Sequence, residues 1–157
     1  MSTNILCKHL KDMLKCIHTE TKKVKLLSDS LEIDRDQIKL NSEQIDFNNW
    51  LNTDAEYLKE HLHGNFLNDI QLLHASWHEV YAKIYKLLYG EKRFLFGKRH
   101  IPKELNEQEQ IKMKFYYEDI RDLSISLEHK IDILILRVSS SSELDDSYLD
   151  QISLLGA

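Results

Sequence analysis

The chain has little of what bends or staples a backbone. Its 157 residues include one proline and four glycines. An all-β or loop-rich fold needs turn residues roughly every 8–12 positions, so both are excluded. There are two cysteines, Cys7 and Cys16, in one stretch that reads as a helix. Such a helix holds them about 13 Å apart, beyond the reach of a disulfide. No run approaches the roughly 20 apolar residues that span a bilayer. The most apolar stretch, "IDILILRV", is short and carries Asp132 and Arg137. The N-terminal "MSTNILCKHLKDMLKC" lacks the apolar core of a signal peptide. These absences predict an intracellular protein, cytoplasmic or nuclear, with reduced thiols and no membrane span.

Catalytic signatures are missing too. There is no GxSxG, no P-loop and no Cys–His motif. Arg93 and His100 have the Arg-x6-His spacing of some helical ribonucleases, but Gly97 lies between them in an expected loop. We expect no enzymatic activity and no cofactor.

Hydrophobic residues (42%) and charged residues (30%) stand in the balance of a folded domain rich in long helices. From about residue 3 to 31, Leu6, Leu10, Met13, Ile17, Val24, Leu27 and Leu31 form a coiled-coil-like seam with one polar gap at Glu20. A break is expected near 28–36, then a shorter helix. Thr53 and Glu56 form a capping box that starts a second long helix. Its seam is Phe66, Ile70, Leu73, Trp77, Val80, Ile84 and Leu87, and Gly90 is its natural stop. Unbroken from 53 to 89 it is on the order of 55 Å long, so the molecule is elongated or the helix breaks at His63-Gly64-Asn65. Pro102 suits the first turn of a third helix running to about Val138, striped by Ile120, Leu127, Ile131, Leu134 and Val138. Leu123, Ile133, Ile135 and Leu136 widen that stripe until the last turns are apolar almost all round, as in a helix buried in a bundle or oligomer. "KIDILILRV" also suits a β-strand, but no second strand is visible to pair with it. The serines at 139–142 then read as a linker, with Ser142 capping a short amphipathic helix that carries Leu144, Tyr148, Ile152 and Leu155.

The expected fold is all-α: an elongated antiparallel helical bundle at 1–138 with coiled-coil-like seams, then a Ser-rich linker and short C-terminal helix at 139–157. Charge falls in blocks. Residues 1–30, 31–69, 70–103 and 104–157 carry +3, −6, +5 and −7, which give the chain its net −5. Sequential segments folded antiparallel therefore attract.

Three features are candidates for function. The first is the basic, aromatic "GEKRFLFGKRHIPK" at 90–103, net +4, with Lys92, Arg93, Phe94, Phe96, Lys98 and Arg99. It is either a structural plug, a dock for an acidic protein, or a nucleic-acid contact in which the phenylalanines stack on bases. The second is the C-terminal helix, whose Leu144, Tyr148 and Ile152 suit a partner's groove or a return onto the bundle. The third is a His/carboxylate cluster of Glu60, His63, His74 and His78, whose i, i+3 and i, i+4 spacings can ligate a metal. Such sites need a second Glu-x-x-His step, and none is present. His74 and His78 read instead as half-buried residues flanking the second seam, so we assign no metal. The composite expectation is a non-enzymatic interaction protein, an adaptor, scaffold or assembly subunit. It works through helix–helix contacts with another protein or with itself. Nucleic-acid binding through 90–103 and metal binding are the alternatives.

Overall fold

The computed structural model describes residues 3–29, 38, 40, 58, 64–90 and 102–155, with the side chains of 3 and 141–155 excepted. These residues form three long helices, α1 (Thr3–Ser28), α2 (Gly64–Tyr89) and α3 (Glu107–Leu155), and no strand. The expected all-α bundle is what the chain adopts. At 49 residues α3 is about 74 Å long, so the molecule is elongated. Both α1 and α2 pack on α3. Cys7 lies against Ser139 and Thr21 against Ser124, so α1 runs antiparallel to α3. Phe66 lies under Arg137 and Trp77 against Ser124, so α2 does the same. Consequently α1 and α2 are parallel to each other.

The α1 seam reads as expected. Leu6, Leu10, Met13, Ile17, Val24 and Leu27 are all buried, and so is Glu20 at the polar gap. Leu31 and the shorter helix expected after the break lie outside the described residues, as do Thr53 and Glu56 of the capping box. In α2 the core stripe sits one flank over from the expected seam. Leu67, Ile70, His74, Trp77, Tyr81, Ile84 and Leu88 are buried, while Phe66, Leu73, Val80 and Leu87 are only partly covered. Both stripes have steps of 3 and 4 residues, so apolar spacing does not separate them. Polar partners do, because Tyr81 finds Glu20 and His74 finds His78. Gly90 ends α2 as expected. Its φ of 75° is left-handed, where a Cβ is strained, and its amide donates to the Lys86 carbonyl.

The third helix departs from expectation at both ends. Pro102 is buried but not helical, and α3 begins only at Glu107. Asn106 caps it: its side-chain oxygen accepts from the Glu109 amide at 2.9 Å, and Glu109 accepts in return from the Asn106 amide. That reciprocal pair satisfies two amides at the helix start that have no partner within the helix. At the other end, α3 crosses Ser139–Ser142 without a break, so the C-terminal segment continues the same helix and is not joined by a linker. Serine lowers helix propensity by less than about 0.7 kcal/mol relative to alanine. Its hydroxyl can also bond within the turn, as Ser140 does to the Leu136 carbonyl. The last turns before the serines are not buried all round: Leu136 is 67% exposed.

Ile131 has no exposed surface and Leu72 is mostly exposed. Ile131→Ala is therefore expected to lower unfolding stability by about 2–5 kcal/mol, and Leu72→Ala by under about 0.5 kcal/mol. Urea denaturation of the two variants checks this, and equal midpoints would place the core elsewhere.

Candidate functional site

The three helices meet at one hydroxyl. Ser124 follows Ile120 and precedes Leu127 on the core stripe of α3, and it is buried. Its Oγ donates to the Ile120 carbonyl at 2.6 Å, which uses its only proton. It therefore accepts from its two other partners, Trp77 Nε1–H of α2 at 2.9 Å and the Thr21 hydroxyl of α1 at 2.8 Å. Trp77 stacks on Tyr81, with centroids 5.0 Å apart, and the Tyr81 hydroxyl donates to Glu20 Oε2 at 2.8 Å. Lys23 Nζ holds the other oxygen of Glu20 at 2.9 Å. A polar chain thus crosses an otherwise apolar core with its groups paired. Sequence reasoning marked Glu20 only as a gap and passed over Ser124. The available signal was a serine standing at a core position, four residues after Ile120 and three before Leu127.

His74 and His78 flank Trp77 on α2, with Nε2 atoms 2.9 Å apart. One ring donates and the other accepts, so the contact requires the accepting ring to be neutral and is lost if both are protonated. His74 is core, not half-buried as expected, whereas His78 is intermediate as read. Burial, with His78 as a second positive neighbour, pushes the His74 pKa down from 6.5 to about 3, and burial also lowers that of His78. No group of three potential metal ligands exists among the described residues. Glu60 and His63 lie outside them; within them the pair is a hydrogen-bonded contact between a buried and a half-buried ring.

On the outer side of the Thr21–Ser124 contact, a groove of about 490 Å³ runs between residues 14–29, at the end of α1, and 117–128 of α3. Leu14, Ile17 and Ile125 give it apolar walls, and Lys22, Lys25 and Arg121 a cationic rim. His18 Nδ1 lies 3.6 Å from Glu128 across it. Ile125 also belongs to a second feature. With Ile111, Phe115 and Leu136 it forms an apolar stripe on α3, each residue 56–67% exposed. The steps of 4, 10 and 11 residues depart from whole turns by about 40°, 80° and 20°, so all four lie within an arc of about 80° on the side of α3 opposite its core stripe, with Ile125 at the edge nearest α1.

The residues singled out in the basic segment, Lys92, Arg93, Phe94, Phe96, Lys98 and Arg99, lie outside the described residues. So do the side chains of Leu144, Tyr148 and Ile152, whose backbone continues α3. The ends of the basic segment are placed: Gly90 closes α2, and the Lys103 amide donates to the Leu88 carbonyl at 2.9 Å. No described helix is long and apolar enough to cross a membrane. No protein-family model, curated protein or solved structure matches the chain.

Two predictions follow from the core chemistry. Ser124→Ala strands the buried Trp77 N–H and the Thr21 hydroxyl, at an expected cost of about 1–3 kcal/mol. In a double-mutant cycle with Trp77→Phe, the two costs should fall short of adding, since the second change removes a donor already stranded. Additive costs would mean that the node is not a node. The histidine pair sets a pH response. The unfolded chain protonates His74 near pH 6.5 and the folded chain only near 3. Between those values the unfolded state binds more protons, so stability is full above 6.5 and falls as pH drops. From 6.5 to 5 the loss through His74 is about 2 kcal/mol. The variant His74→Leu/His78→Leu should lose correspondingly less between pH 7.5 and 5, as read by urea midpoints. An unchanged pH slope would contradict the assignment.

Proposed function

We propose that this protein is a non-enzymatic interaction protein, an adaptor, scaffold or assembly subunit, that works through helix–helix contact. The observation that carries the reading is the outer face of α3. Ile111, Phe115, Ile125 and Leu136 line up in the open on the helix that already serves as partner to α1 and α2. Single exposed apolar residues need no explanation, but an aligned stripe of them on one helix is the pattern of a contact surface. The basic segment at 92–99 adds a second point of contact, for an acidic partner.

A pull-down from native-source lysate, with and without nuclease, tests this. Wild-type chain is compared with Phe115→Ser/Ile125→Ser and with Lys92/Arg93/Lys98/Arg99→Glu, each checked for wild-type helical content. The expected result is a protein complement that survives nuclease and is lost from the α3 variant. Loss from the charge-reversed variant as well makes the basic segment part of the dock. If nuclease strips away everything captured, the protein acts on nucleic acid and the reading fails.

A further inference from the structure

The groove beside the Ser124 node has its polarity arranged along its length. The Thr21–Ser124 bond sets the level of α1 against α3. Lys25 stands one turn from Thr21 toward the C-terminus of α1. Arg121 stands about one turn from Ser124 toward the N-terminus of α3, so in antiparallel register the two cations face each other across the opening. Lys22 stands beside them, and all three are exposed. Lys22 and Lys25 make no ion pair among the described residues, and the ion pair of Arg121 is with Asp122, its neighbour on the same exposed turn. Asp29, just past α1, is the acidic group lining this end. In the other direction His18 and Glu128, 3.6 Å apart, bridge the groove on its solvent side, since His18 is exposed and Ile17 next to it is buried. The lining continues past that bridge, along Ile17 to Leu14. One end is a cationic mouth, and the other is an apolar recess beyond a polar bridge.

That arrangement selects the occupant. A partner helix is apolar along one side and polar along the other, so it needs a groove polarised across its axis. With side chains it is also about 10–12 Å wide, too thick to pass the bridge. An unbranched amphiphile is charged at one end and apolar at the other. From the level of Lys25 to that of Leu14 is about 16 Å along α1, the reach of an extended carboxylate of about twelve carbons at about 1.2 Å per bond. We infer that the groove binds a free fatty carboxylate of medium chain length, its head among Lys22, Lys25 and Arg121 and its tail along Ile17 to Leu14. The buried tail supplies the affinity, and the cations fix its direction. The site shares only Ile125 with the outer stripe of α3, so it goes beyond the interaction reading and does not depend on it.

Titration of the full chain with dodecanoate below its micelle concentration, followed by calorimetry and NMR, is the test. The Trp77 indole N–H is the reporter, because its acceptor Ser124 lines the groove. Wild type is expected to bind dodecanoate with movement of the Trp77 indole signal, and to bind octanoate more weakly. Lys22→Glu/Lys25→Glu removes the head contacts and should weaken dodecanoate by about tenfold or more. Leu14→Phe fills the far end, so it should weaken dodecanoate and leave octanoate unchanged. Both variants are checked for wild-type helical content and for a Trp77 signal that is unmoved before ligand is added. A wild-type Trp77 signal that stays fixed through the titration overturns the proposal. So does dodecyltrimethylammonium binding as tightly as dodecanoate, which makes the groove a general detergent site, or a dodecanoate affinity indifferent to both variants. Phosphatidylglycerol vesicles that capture the chain where free dodecanoate does not bind would assign the cations to a membrane surface, and overturn it as well.

Discussion

The Ser124 hydroxyl is the point on which the register of the bundle depends. The apolar seams of α1, α2 and α3 repeat every three to four residues, so sliding one helix by two turns would exchange one set of apolar neighbours for a similar set. Burial alone penalises such a slip weakly. The polar node penalises it heavily. Ser124 has one proton, which goes to Ile120, and it accepts one bond from α1 and one from α2. A slipped helix leaves Trp77 N–H or the Thr21 hydroxyl without its acceptor, and burying such a group unpaired costs more than a paired one contributes. A single hydroxyl therefore fixes both helices against α3.

The same logic extends along α2. Glu20 interrupts the α1 seam, and in an apolar core its carboxylate would be intolerable without donors. Tyr81 and Lys23 supply them, and the Tyr81 ring is held by its stack on Trp77. The α1–α2 relation, which is parallel and less extensive than either contact with α3, is thereby pinned by one buried hydrogen bond. With both neighbours on one side of α3, its other side has none among the described residues. The exposure of Ile111, Phe115, Ile125 and Leu136 is thus a consequence of the architecture. It is also the reason to look for a partner there.

Much of this was legible in the sequence. The α1 seam, the α3 stripe from Ile120 to Val138 and the stop at Gly90 follow from apolar spacing and from the one residue type that tolerates a left-handed turn. The α2 core was misplaced by one flank because Leu67/Leu88 and Phe66/Leu87 repeat with the same period. What decides between them is a pair of cross-helix or intra-helix polar bonds that no spacing rule encodes. The start of α3 was misread because a proline is a permissive N-terminal residue, whereas Asn106 with Glu109 is an actively bonded one. The serines looked like a break because composition was weighed over energetics: four weak helix formers cost little inside a helix of 49 residues. The polar node was the least legible feature. Its members come from three helices, 47 and 103 residues apart in sequence, and only the folded chain brings them to one oxygen.

Charge operates at two scales in this molecule. At the scale of segments, 104–157 carries −7 and the chain −5, so two copies repel as they approach. That repulsion is long-ranged and is largely screened beyond about 8 Å at physiological ionic strength. At the scale of single residues, Lys114 stands among Glu118, Asp119, Asp122 and Asp132 on the exposed side of α3, whereas Lys130 turns to Asp69 of α2 and Arg121 to the groove beside α1. An interface built on that face gains only at contact distance, from pairs worth little each when exposed, so Ile111, Phe115, Ile125 and Leu136 must carry most of its affinity. The charges have a different role. The apolar stripe is indifferent to direction, so the charges beside it would be what discriminates between partner orientations.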